Sequence, residues 1–448
     1  MIKAINLIKT NEPSYPFDLA LFKEGFTLEV DPKVTISLGD NGSGKSSLLR
    51  LIQSKLKLVS ITVPSSNNEP FIRPHGLTIK KDIQVKLYDL LAESVEKNDA
   101  AGGAGVIQDV KSGEIIALVS YPGYDGNLFV GGISQNDYSS LLNNKLNPLL
   151  NRALAAQIPP GSTFKTLVAA AGLDAKVINR STIYISRSGY TFSNGAPFQE
   201  FRKHSYGPLT VVDALAVSSN IYFCEMIRKW DMNELVPYLE SFGIGEYTGI
   251  DIPGEAPGRL PSPENKIKLA NTTSPWLEPV WYPEGDSCNS VIGQGITLVT
   301  PVQMANWMGA IANGGTLYTP HVAKKFVDEN GFEYPVEPKV LSDTGVSREA
   351  LEIVRKGMWE TVNSSRGIVG SLSNTGTSVA AKTGTAEFGR VNKDGIYEDT
   401  HAWVAGFFPY ENPKYSFSIF LEDGGMSSNA SAVMRNLLIW MVEKGFVD

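Results

Sequence analysis

A serine and a lysine stand three residues apart where a new element begins in this chain of 448 residues. Pro159, Pro160 and Gly161 interrupt whatever precedes them, and Ser162 and Lys165 then open a stretch whose apolar residues recur at helical spacing. Side chains three apart meet on a helix surface. A neutral lysine can remove the proton of a serine hydroxyl, and a helix N-terminus favours the negative charge that develops on the oxygen. The pair therefore predicts an activated nucleophile; the alternative is a chance spacing in an ordinary helix.

Two further polar motifs lie downstream of this pair. Ser218, Ser219 and Asn220 come directly before a short apolar run, and Lys382-Thr383-Gly384-Thr385 stands between small apolar residues. Taken alone, the first of these motifs could be a simple polar turn. The order of all three motifs along the chain is far more specific than any one of them.

The three motifs resemble those of penicillin-binding proteins and class A β-lactamases, which are S-x-x-K, S-D-N and K-T-G in this order. Ser219 stands in place of the aspartate, a variation that penicillin-binding proteins allow. From about residue 77 to 448 the chain is similar to class B penicillin-binding proteins, the monofunctional peptidoglycan transpeptidases. The resemblance implies an α/β (α+β) fold of the transpeptidase type, with an antiparallel sheet flanked by helices and a helical subdomain beside the site.

The resemblance also implies catalytic roles. Ser162, deprotonated by Lys165, attacks the carbonyl between the two terminal D-alanines of a peptidoglycan stem peptide. Ser218 relays a proton between Lys165, Lys382 and the leaving amine, and Asn220 binds substrate amide groups and helps to orient Lys165. An amine from a neighbouring stem then resolves the acyl-enzyme and forms a cross-link. A β-lactam mimics the D-Ala-D-Ala end and traps the serine.

The third motif is expected to lie on an edge strand beside the nucleophile, where a peptide can pair with the main chain. Thr383 and Thr385 offer hydroxyl groups to a substrate carboxylate, and Lys382 adds positive potential. Gly384 lets the substrate backbone approach closely. The N–H groups of Ser162 and Thr385 are expected to form the oxyanion hole.

The segments between the motifs predict the elements that position them. Residues 83–95 carry the apolar stripe of a helix, and residues 104–110 and 114–120 predict a β-hairpin. Residues 211–217 predict a helix that ends at the Ser218 turn, and residues 418–421 an apolar strand that ends in two acids. These segments are assigned to structure and not to chemistry.

The N-terminal part of the sequence points elsewhere. A predicted strand at residues 33–38 leads into a glycine-rich loop, and a predicted helix follows, which is the context of a phosphate-binding P-loop. Residues 1–58 resemble the opening of ABC-like AAA-family ATPases. The nucleotide-binding candidates in the loop are Gly39, Gly42, Gly44, Lys45 and Ser46.

A working NTPase also needs an acid at the end of a second buried strand to complete its magnesium site. The best candidates, Glu422 and Asp423, follow a strand that the transpeptidase resemblance already explains, so ATP hydrolysis is not expected. Residues 59–76, rich in proline, serine and asparagine, are interpreted as a junction before a transpeptidase domain at 77–448. A natural fusion, a rearranged gene and two joined reading frames are the alternatives, and the last two are favoured.

Composition limits the partners. Hydrophobic residues make up 42% and charged residues 19%, as in a globular protein, and the net charge of −7 gives no reason to expect nucleic acid. The four histidines and two cysteines show no ligand spacing, so neither a metal nor a cofactor is expected. Two cysteines alone indicate neither a disulfide framework nor a cellular compartment. No apolar run of about 18 residues and no secretory signal are present, although the resemblance implies work on the outer face of the cytoplasmic membrane.

Three alternative functions are compatible with the sequence. A β-lactamase would hydrolyse the same acyl-enzyme, but no E-x-x-L-N-like segment lies between the second and third motifs. A non-catalytic β-lactam sensor would acylate without turning over peptide. The P-loop nucleotide-binding protein is the third alternative. The partners expected from the resemblance are stem peptides, β-lactams as inhibitors and other proteins of cell-wall synthesis.

Overall fold

The computed structural model describes residues 4–7, 26–29, 73–130, 132–328, 331–391 and 397–447. The strands are β1 Ala4–Leu7, β2 Phe26–Glu29, β3 Arg73–Leu77, β4 Gly102–Asp109, β5 Ile115–Tyr121, β6 Tyr184–Ser186, β7 Gly189–Thr191, β8 Pro197–Gln199, β9 Gly207–Leu209, β10 Thr316–Tyr318, β11 Ala323–Val327, β12 Glu333–Pro335, β13 Val340–Asp343, β14 Ala380–Val391, β15 Tyr397–Phe408 and β16 Tyr415–Glu422. The helices are α1 Lys81–Lys97, α2 Gln135–Leu142, α3 Arg152–Ala155, α4 Lys165–Asp174, α5 Val211–Val217, α6 Asn220–Ile227, α7 Met232–Ser241, α8 Pro263–Ala270, α9 Gly285–Val291, α10 Pro301–Asn313, α11 Arg348–Asn363 and α12 Ser427–Glu443.

A five-stranded sheet in the order β14-β15-β16-β4-β5 is the centre of the larger of two compact units, which comprises Leu77–Tyr124, Asn143–Ala323 and Glu337–Asp448. Neighbouring strands pair antiparallel throughout. Helices α1 and α12 pack on one face of the sheet and α10 on the other. The expected antiparallel sheet flanked by helices is therefore confirmed.

Strand β16 shows why the sheet needs cover on both faces. Side chains that follow each other along a strand point to opposite faces, so a strand that is apolar at nearly every position must be buried on both. Phe420 belongs to the core on the α10 side, whereas Ile419 and Leu421 belong to the core under α1 and α12. The strand expected at residues 418–421 is thus confirmed, as are the β4–β5 hairpin and the helix α1.

Helix α4 differs from its prediction in how it is buried. The sequence pattern predicts one buried face, but every residue from Lys165 to Leu173 is buried. The cause is that α4 packs against α5, α6, α7 and α11, which enclose it on several sides. Its small residues make this possible, since a Cβ added at Gly172 would lie 2.6 Å from the sulfur of Met226. The helical subdomain is built around this buried helix.

A disulfide joins α6 to α9. Cys224 and Cys288 are both fully buried, and their Cα atoms lie 4.6 Å apart although 64 residues separate them in sequence. Their spacing in sequence does not indicate a pair, because the two helices meet only in the folded chain. The disulfide links the helix that begins at Asn220 to the segment that precedes Ile292 and Gly293.

The smaller unit contains Asp125–Leu142, Lys324–Val336 and the described residues up to Gly76. Strands β1 and β2 pair antiparallel, and β3, β11 and β12 form a three-stranded sheet. The predicted P-loop strand, loop and helix at 33–56 lie outside the described residues, as does most of the predicted junction at 59–76. Among the helices that the structure describes, no helix has the length and apolar character needed to span a bilayer.

Candidate active site

Ser162 lies on a short 3₁₀ turn, Gly161–Phe164, that runs directly into α4. The sequence predicted an α-helix from this point, and the tighter turn still aligns residues three apart on one side of the chain. Gly161 has a φ of +54°, and a Cβ on it would lie 2.9 Å from the carbonyl oxygen of Thr385. Its N–H donates to the carbonyl of Gly293 at 3.0 Å. The turn is therefore held backbone to backbone against β14 on one side and the Gly293 segment on the other.

Lys165 begins α4, and its side chain is completely buried. Its Nζ donates to the carbonyl oxygen of Ser218 at 2.8 Å and to Asn220 Oδ1 at 2.7 Å, and lies 3.5 Å from Ser218 Oγ. Burial lowers the pKa of Lys165 to about 7, against the opposing effect of the Glu200 carboxylate. Near neutral pH, Lys165 is therefore uncharged in about half of the molecules. The uncharged amine can accept a proton.

Ser218 lies between two lysines because of its backbone conformation. It ends α5 in the left-handed region, with φ 60° and ψ 41°. This conformation costs a non-glycine residue on the order of 1–3 kcal/mol, and such residues cluster at functional sites. It turns the chain so that the Ser218 hydroxyl accepts from Lys382 Nζ at 2.7 Å while its carbonyl faces Lys165. The predicted end of α5 at this turn is confirmed.

Lys382 approaches the same hydroxyl from the sheet. It lies on β14, is completely buried, and donates to Ser218 Oγ and to the carbonyl oxygen of Thr383 at 3.1 Å. Burial and the nearby charge of Lys165 hold the pKa of Lys382 well below its usual range. Two buried ammonium groups beside one hydroxyl repel each other. The two lysines together therefore hold one positive charge more readily than two.

Asn220 completes the group at the start of α6. Its Oδ1 accepts from Lys165, and its Nδ2 donates to the carbonyl oxygen of Gln199 at 3.0 Å. Because the amide is held at both ends, its oxygen stays directed at the lysine. The structure thus brings together Lys165, Ser218, Asn220 and Lys382, which are far apart in sequence.

Strand β14 is an edge strand of the central sheet, as predicted, since it pairs with β15 alone among the strands of that sheet. Thr383 is buried, whereas Thr385 is partly exposed next to the nucleophile turn. A Cβ on Gly384 would lie only 2.4 Å from the carbonyl oxygen of Pro160. A side chain at this position would therefore collide with the nucleophile turn. This packing requirement is a different reason for glycine from the expected one, which was close approach of the substrate backbone.

Among the described residues, no cluster of three or more metal-ligating side chains is found. His401 lies on β15, where its Nδ1 accepts from the N–H of Asp423 at 3.1 Å and its ring stacks on Phe388. Burial lowers the pKa of His401 to about 4, so this histidine is neutral at physiological pH. Its contacts are those of a packed core residue.

One buried charged residue beside these groups was missed by the sequence reading. Glu200 follows β8, is 1% exposed, and accepts hydrogen bonds from Ser219 and from the first N–H groups of α6. In sequence it resembles any acid in a polar loop segment. Only its burial against α6 distinguishes it, and no local spacing signals that burial.

Comparison with known proteins decides the family. The family described as "Penicillin binding protein transpeptidase domain" matches residues 103–438. The chain belongs to the penicillin-binding protein transpeptidase family. The match begins beyond the glycine-rich loop at residues 39–46, so the P-loop interpretation stays a prediction.

Known members of this family extend the comparison. Peptidoglycan D,D-transpeptidase MrdA of Haemophilus influenzae is 33% identical over 349 residues, which cover 75% of this chain and 52% of that protein. Two solved structures, Pseudomonas aeruginosa PBP2 in complex with WCK 5153 and the complex between Helicobacter pylori PBP2 and MreC, both match with a TM-score of 0.71 and 30% identity. The first match covers 82% of this chain and 78% of the other, and the second 87% and 66%. The chain spans just over half the length of the curated relatives it matches.

Proposed function

We propose that this chain is a serine D,D-transpeptidase that cross-links peptidoglycan stem peptides through an acyl-enzyme on Ser162. The observation that carries the proposal is the array in which Lys165 and Lys382 both meet Ser218 beside the nucleophile turn. This array connects a buried base of suitable pKa to a hydroxyl that can pass a proton onward. The relatives named as D,D-transpeptidases support the same reading.

In the acylation step, neutral Lys165 accepts the proton of the Ser162 hydroxyl, and Oγ bonds to the carbonyl carbon of the penultimate D-alanine. The tetrahedral oxyanion receives hydrogen bonds from the N–H groups of Ser162 and Thr385, whose backbones are adjacent across the Gly161 contact. The C–N bond then breaks. The departing D-alanine amine takes its proton from Lys165 through the Ser218 hydroxyl, which accepts one proton as it gives another.

In the transfer step, an amine of a second stem peptide attacks the ester carbonyl. Its proton leaves through Ser218 to the lysine pair while the new C–N bond forms. The bond from Ser162 Oγ to carbon breaks, and Oγ recovers a proton from Lys165. The cycle consumes one D-Ala-D-Ala end and one amine, and it releases D-alanine and one cross-link.

The substrate-binding part of the proposal concerns the edge strand. A peptide laid against β14 can pair with its free main-chain groups, with its carboxylate directed at Lys382, Thr383 and Thr385. A bound carboxylate is an opposite charge beside Lys382, which favours the charged form of that lysine. Penicillin carries the same carboxylate, so it is expected to bind in the same direction.

A first experiment tests the acyl-enzyme directly. Intact-protein mass is followed over hours after addition of benzylpenicillin to the parent chain and to Ser162→Ala. The proposal expects one adduct that persists in the parent and is absent from the variant. Absence of any adduct in the folded parent would overturn the proposal. Rapid loss of the adduct would instead indicate a β-lactamase, which hydrolyses the ester.

A second experiment separates a transpeptidase from a non-catalytic sensor. The parent is supplied with a soluble peptide ending in D-Ala-D-Ala and an excess of a D-amino acid as acceptor, and products are resolved by chromatography. Release of D-alanine with formation of the exchanged peptide supports transfer. Penicillin acylation without any peptide turnover would assign the chain to the sensor class.

Location and partners follow from the same proposal. We infer that the domain works at the outer face of the cytoplasmic membrane, where stem peptides occur, and that it cooperates with other proteins of cell-wall synthesis. H. pylori PBP2 has been solved in a complex with MreC, which suggests an MreC-like partner for this chain. Co-purification of a tagged chain with the MreC of the same cell tests the partner. MreC should be absent from a parallel purification in which the chain carries no tag.

The glycine-rich loop is a separate proposal about nucleotide binding. If Lys45 and Ser46 hold a nucleotide with magnesium, equilibrium dialysis should detect binding of labelled ATP that disappears in Lys45→Ala. Penicillin acylation is expected to be equal in both proteins, because the acylation proposal uses no residue of this loop. Equal ATP retention by the variant and the parent would contradict a P-loop site.

A further inference from the structure

A buried carboxylate lies directly behind the Ser-Ser-Asn motif. One oxygen of Glu200 accepts from Ser186 Oγ at 2.7 Å, from the Ser219 hydroxyl, and from the N–H of Ile221 at 3.2 Å. The other oxygen accepts from the N–H of Asn220 at 2.6 Å. The side chain is 1% exposed. Three of its four donors belong to Ser219, Asn220 and Ile221, which form the cap and first turn of α6.

This arrangement holds the start of α6 in one position. The first N–H groups of a helix have no partner within the helix, and a carboxylate placed there satisfies them and is stabilised by the helix dipole. A carboxyl group removed from water is strongly unfavourable unless such donors surround it. Any shift of the Ser219–Ile221 backbone would break several of these bonds at once. Glu200 therefore couples the position of α6 to the short segment that follows β8.

The same turn carries the acceptors of the base. Lys165 Nζ is held by the carbonyl oxygen of Ser218 and by Asn220 Oδ1, and these residues flank Ser219, whose hydroxyl donates to Glu200. The Asn220 amide is also tied to Gln199, the residue before Glu200. A movement of the carboxylate would thus be passed to both acceptors of Lys165 and to the Ser218 hydroxyl between the lysines.

From this geometry we propose that Glu200 is a positioning residue for acyl transfer, which fixes the Ser218–Asn220 turn and through it the buried amine of Lys165. The inference rests on the proposed function, because it assigns a task within that reaction. Glu200 does not touch the reacting atoms in this scheme. It acts on the base through the turn and through its negative charge.

The charge of Glu200 has a predictable effect on Lys165. The carboxylate favours the protonated lysine, so it raises the pKa of Lys165 and partly offsets the larger lowering caused by burial. Removal of the charge should lower the pKa of Lys165 further, and the neutral base should then appear at lower pH. Other titratable or charged groups on the surrounding elements are Lys382, Tyr206, Asp213, Tyr222 and Arg366.

The experiment measures the second-order rate constant of acylation by a fluorescent penicillin across the pH range where Lys165 titrates. Glu200→Gln keeps the size of the side chain but removes its charge, so its rate–pH curve should rise at lower pH than that of the parent. Glu200→Asp keeps the charge but retracts it, so its curve should keep its midpoint while its plateau falls. A misplacement of the base by an ångström can cost on the order of 10²-fold, and we expect a plateau loss of roughly tenfold or more.

Asp231→Ala is the matched control. Asp231 also caps a helix of this region, since its carboxylate accepts a hydrogen bond from the N–H of Asn233 at the start of α7. Its loss should lower the melting temperature without shifting the rate–pH curve or lowering its plateau. Melting curves of all variants show whether each protein is folded at the temperature of the assay.

The outcomes are distinguishable. A parent without Ser162-dependent acylation removes the proposed function itself. A parent with normal acylation, together with Glu200→Gln and Glu200→Asp curves that match it, overturns only the role of Glu200. Equal changes in Asp231→Ala, or failure of both Glu200 variants to fold while the control folds, would assign Glu200 to the stability of the fold and overturn the positioning role.

Discussion

The two lysines of the site show how one physical effect gives different results in two regions of the molecule. Lys165 belongs to the helical region and Lys382 to the edge of the sheet, and both are completely buried beside the Ser218 hydroxyl. Burial lowers the pKa of each. It lowers that of Lys165 only to about 7, because the carboxylate of Glu200 opposes it, whereas the charge of Lys165 lowers the pKa of Lys382 still more.

This difference teaches that the acceptors around a buried amine decide what burial does to it. Lys165 meets a carbonyl oxygen and an amide oxygen, with a carboxylate behind them, and it can hold a proton at neutral pH. Lys382 meets a hydroxyl and the carbonyl of the next residue. The expected positive potential of Lys382 therefore depends on a bound carboxylate, which supplies the opposite charge that the protein places near Lys165 instead.

Replacement of the base should have the largest effect on this comparison. Lys165→Met is expected to slow penicillin acylation by roughly 10²- to 10⁴-fold, the range for loss of a general base. Stopped-flow or gel-based acylation rates measure it. Lys356→Met, at a half-buried lysine paired with Glu360 on α11, serves as the control and should acylate at the parent rate. A Lys165→Met protein that acylates normally would show that the base is another group.

Replacement of the second lysine should have a smaller effect that depends on the ligand. Lys382→Met is expected to slow acylation by benzylpenicillin by roughly 10- to 100-fold, the value of a hydrogen bond to a charged group. The loss should nearly vanish for the methyl ester of the same penicillin, which has no carboxylate charge. Equal losses for acid and ester would mean that Lys382 acts on the proton path and not on the carboxylate.

A change on the sheet edge alone tests the contact between β14 and the nucleophile turn. Gly384→Ala places a methyl group 2.4 Å from the carbonyl oxygen of Pro160, so the turn or the strand must move. We expect a destabilisation of about 1–3 kcal/mol, as for other overpacked sites. Acylation should fall as well. Gly370→Ala, where an added Cβ meets no atom within 4 Å, is the matched control for denaturation and acylation measurements.

A more gradual effect is expected in the pH dependence of stability. Between the pKa of folded Lys165, about 7, and the ordinary value of 10.5, the unfolded chain binds the extra proton and the folded chain does not. The free energy of unfolding should therefore rise with pH across this window, by at most about 1.4 kcal/mol per pH unit for one such group. Below pH 7 the full penalty of charging Lys165 is present.

Urea unfolding of the parent and of Lys165→Met at several pH values between 7 and 10 measures this contribution as the difference between two slopes. Subtraction removes the groups that both proteins share. Lys382→Met should reduce the slope in the same direction, because the pKa of Lys382 is lowered too. Parallel curves for the parent and both variants would contradict a lowered pKa for Lys165 and for Lys382.

Sequence patterns were sufficient for those parts of the fold that depend on local periodicity. The hairpin β4–β5, helix α1, strand β16 and the end of α5 at Ser218 all follow from apolar spacing and turn residues. The fold class and the family came from the order of three short motifs. The motif residues Lys165, Ser218, Asn220 and Lys382 do lie together, although their roles stay proposals.

The features that escaped the sequence reading depend on contacts between distant segments. Glu200 became visible only through its burial against the start of α6, and Cys224 pairs with Cys288 only because α6 and α9 pack together. The 3₁₀ turn at Gly161 lies against the backbone of Thr385, a contact that no local preference encodes. Local patterns state what a segment can form. They do not state which other segment it will meet.

The backbone contacts of the nucleophile turn set limits on how the protein can change. Ser162 is located by main-chain atoms, since Gly161 bonds to Gly293 and packs on Thr385 while Gly384 admits Pro160. A designer who transfers the three motifs to another scaffold would need to include these glycines. The motif serines and lysines alone do not set the distance between the nucleophile turn and strand β14.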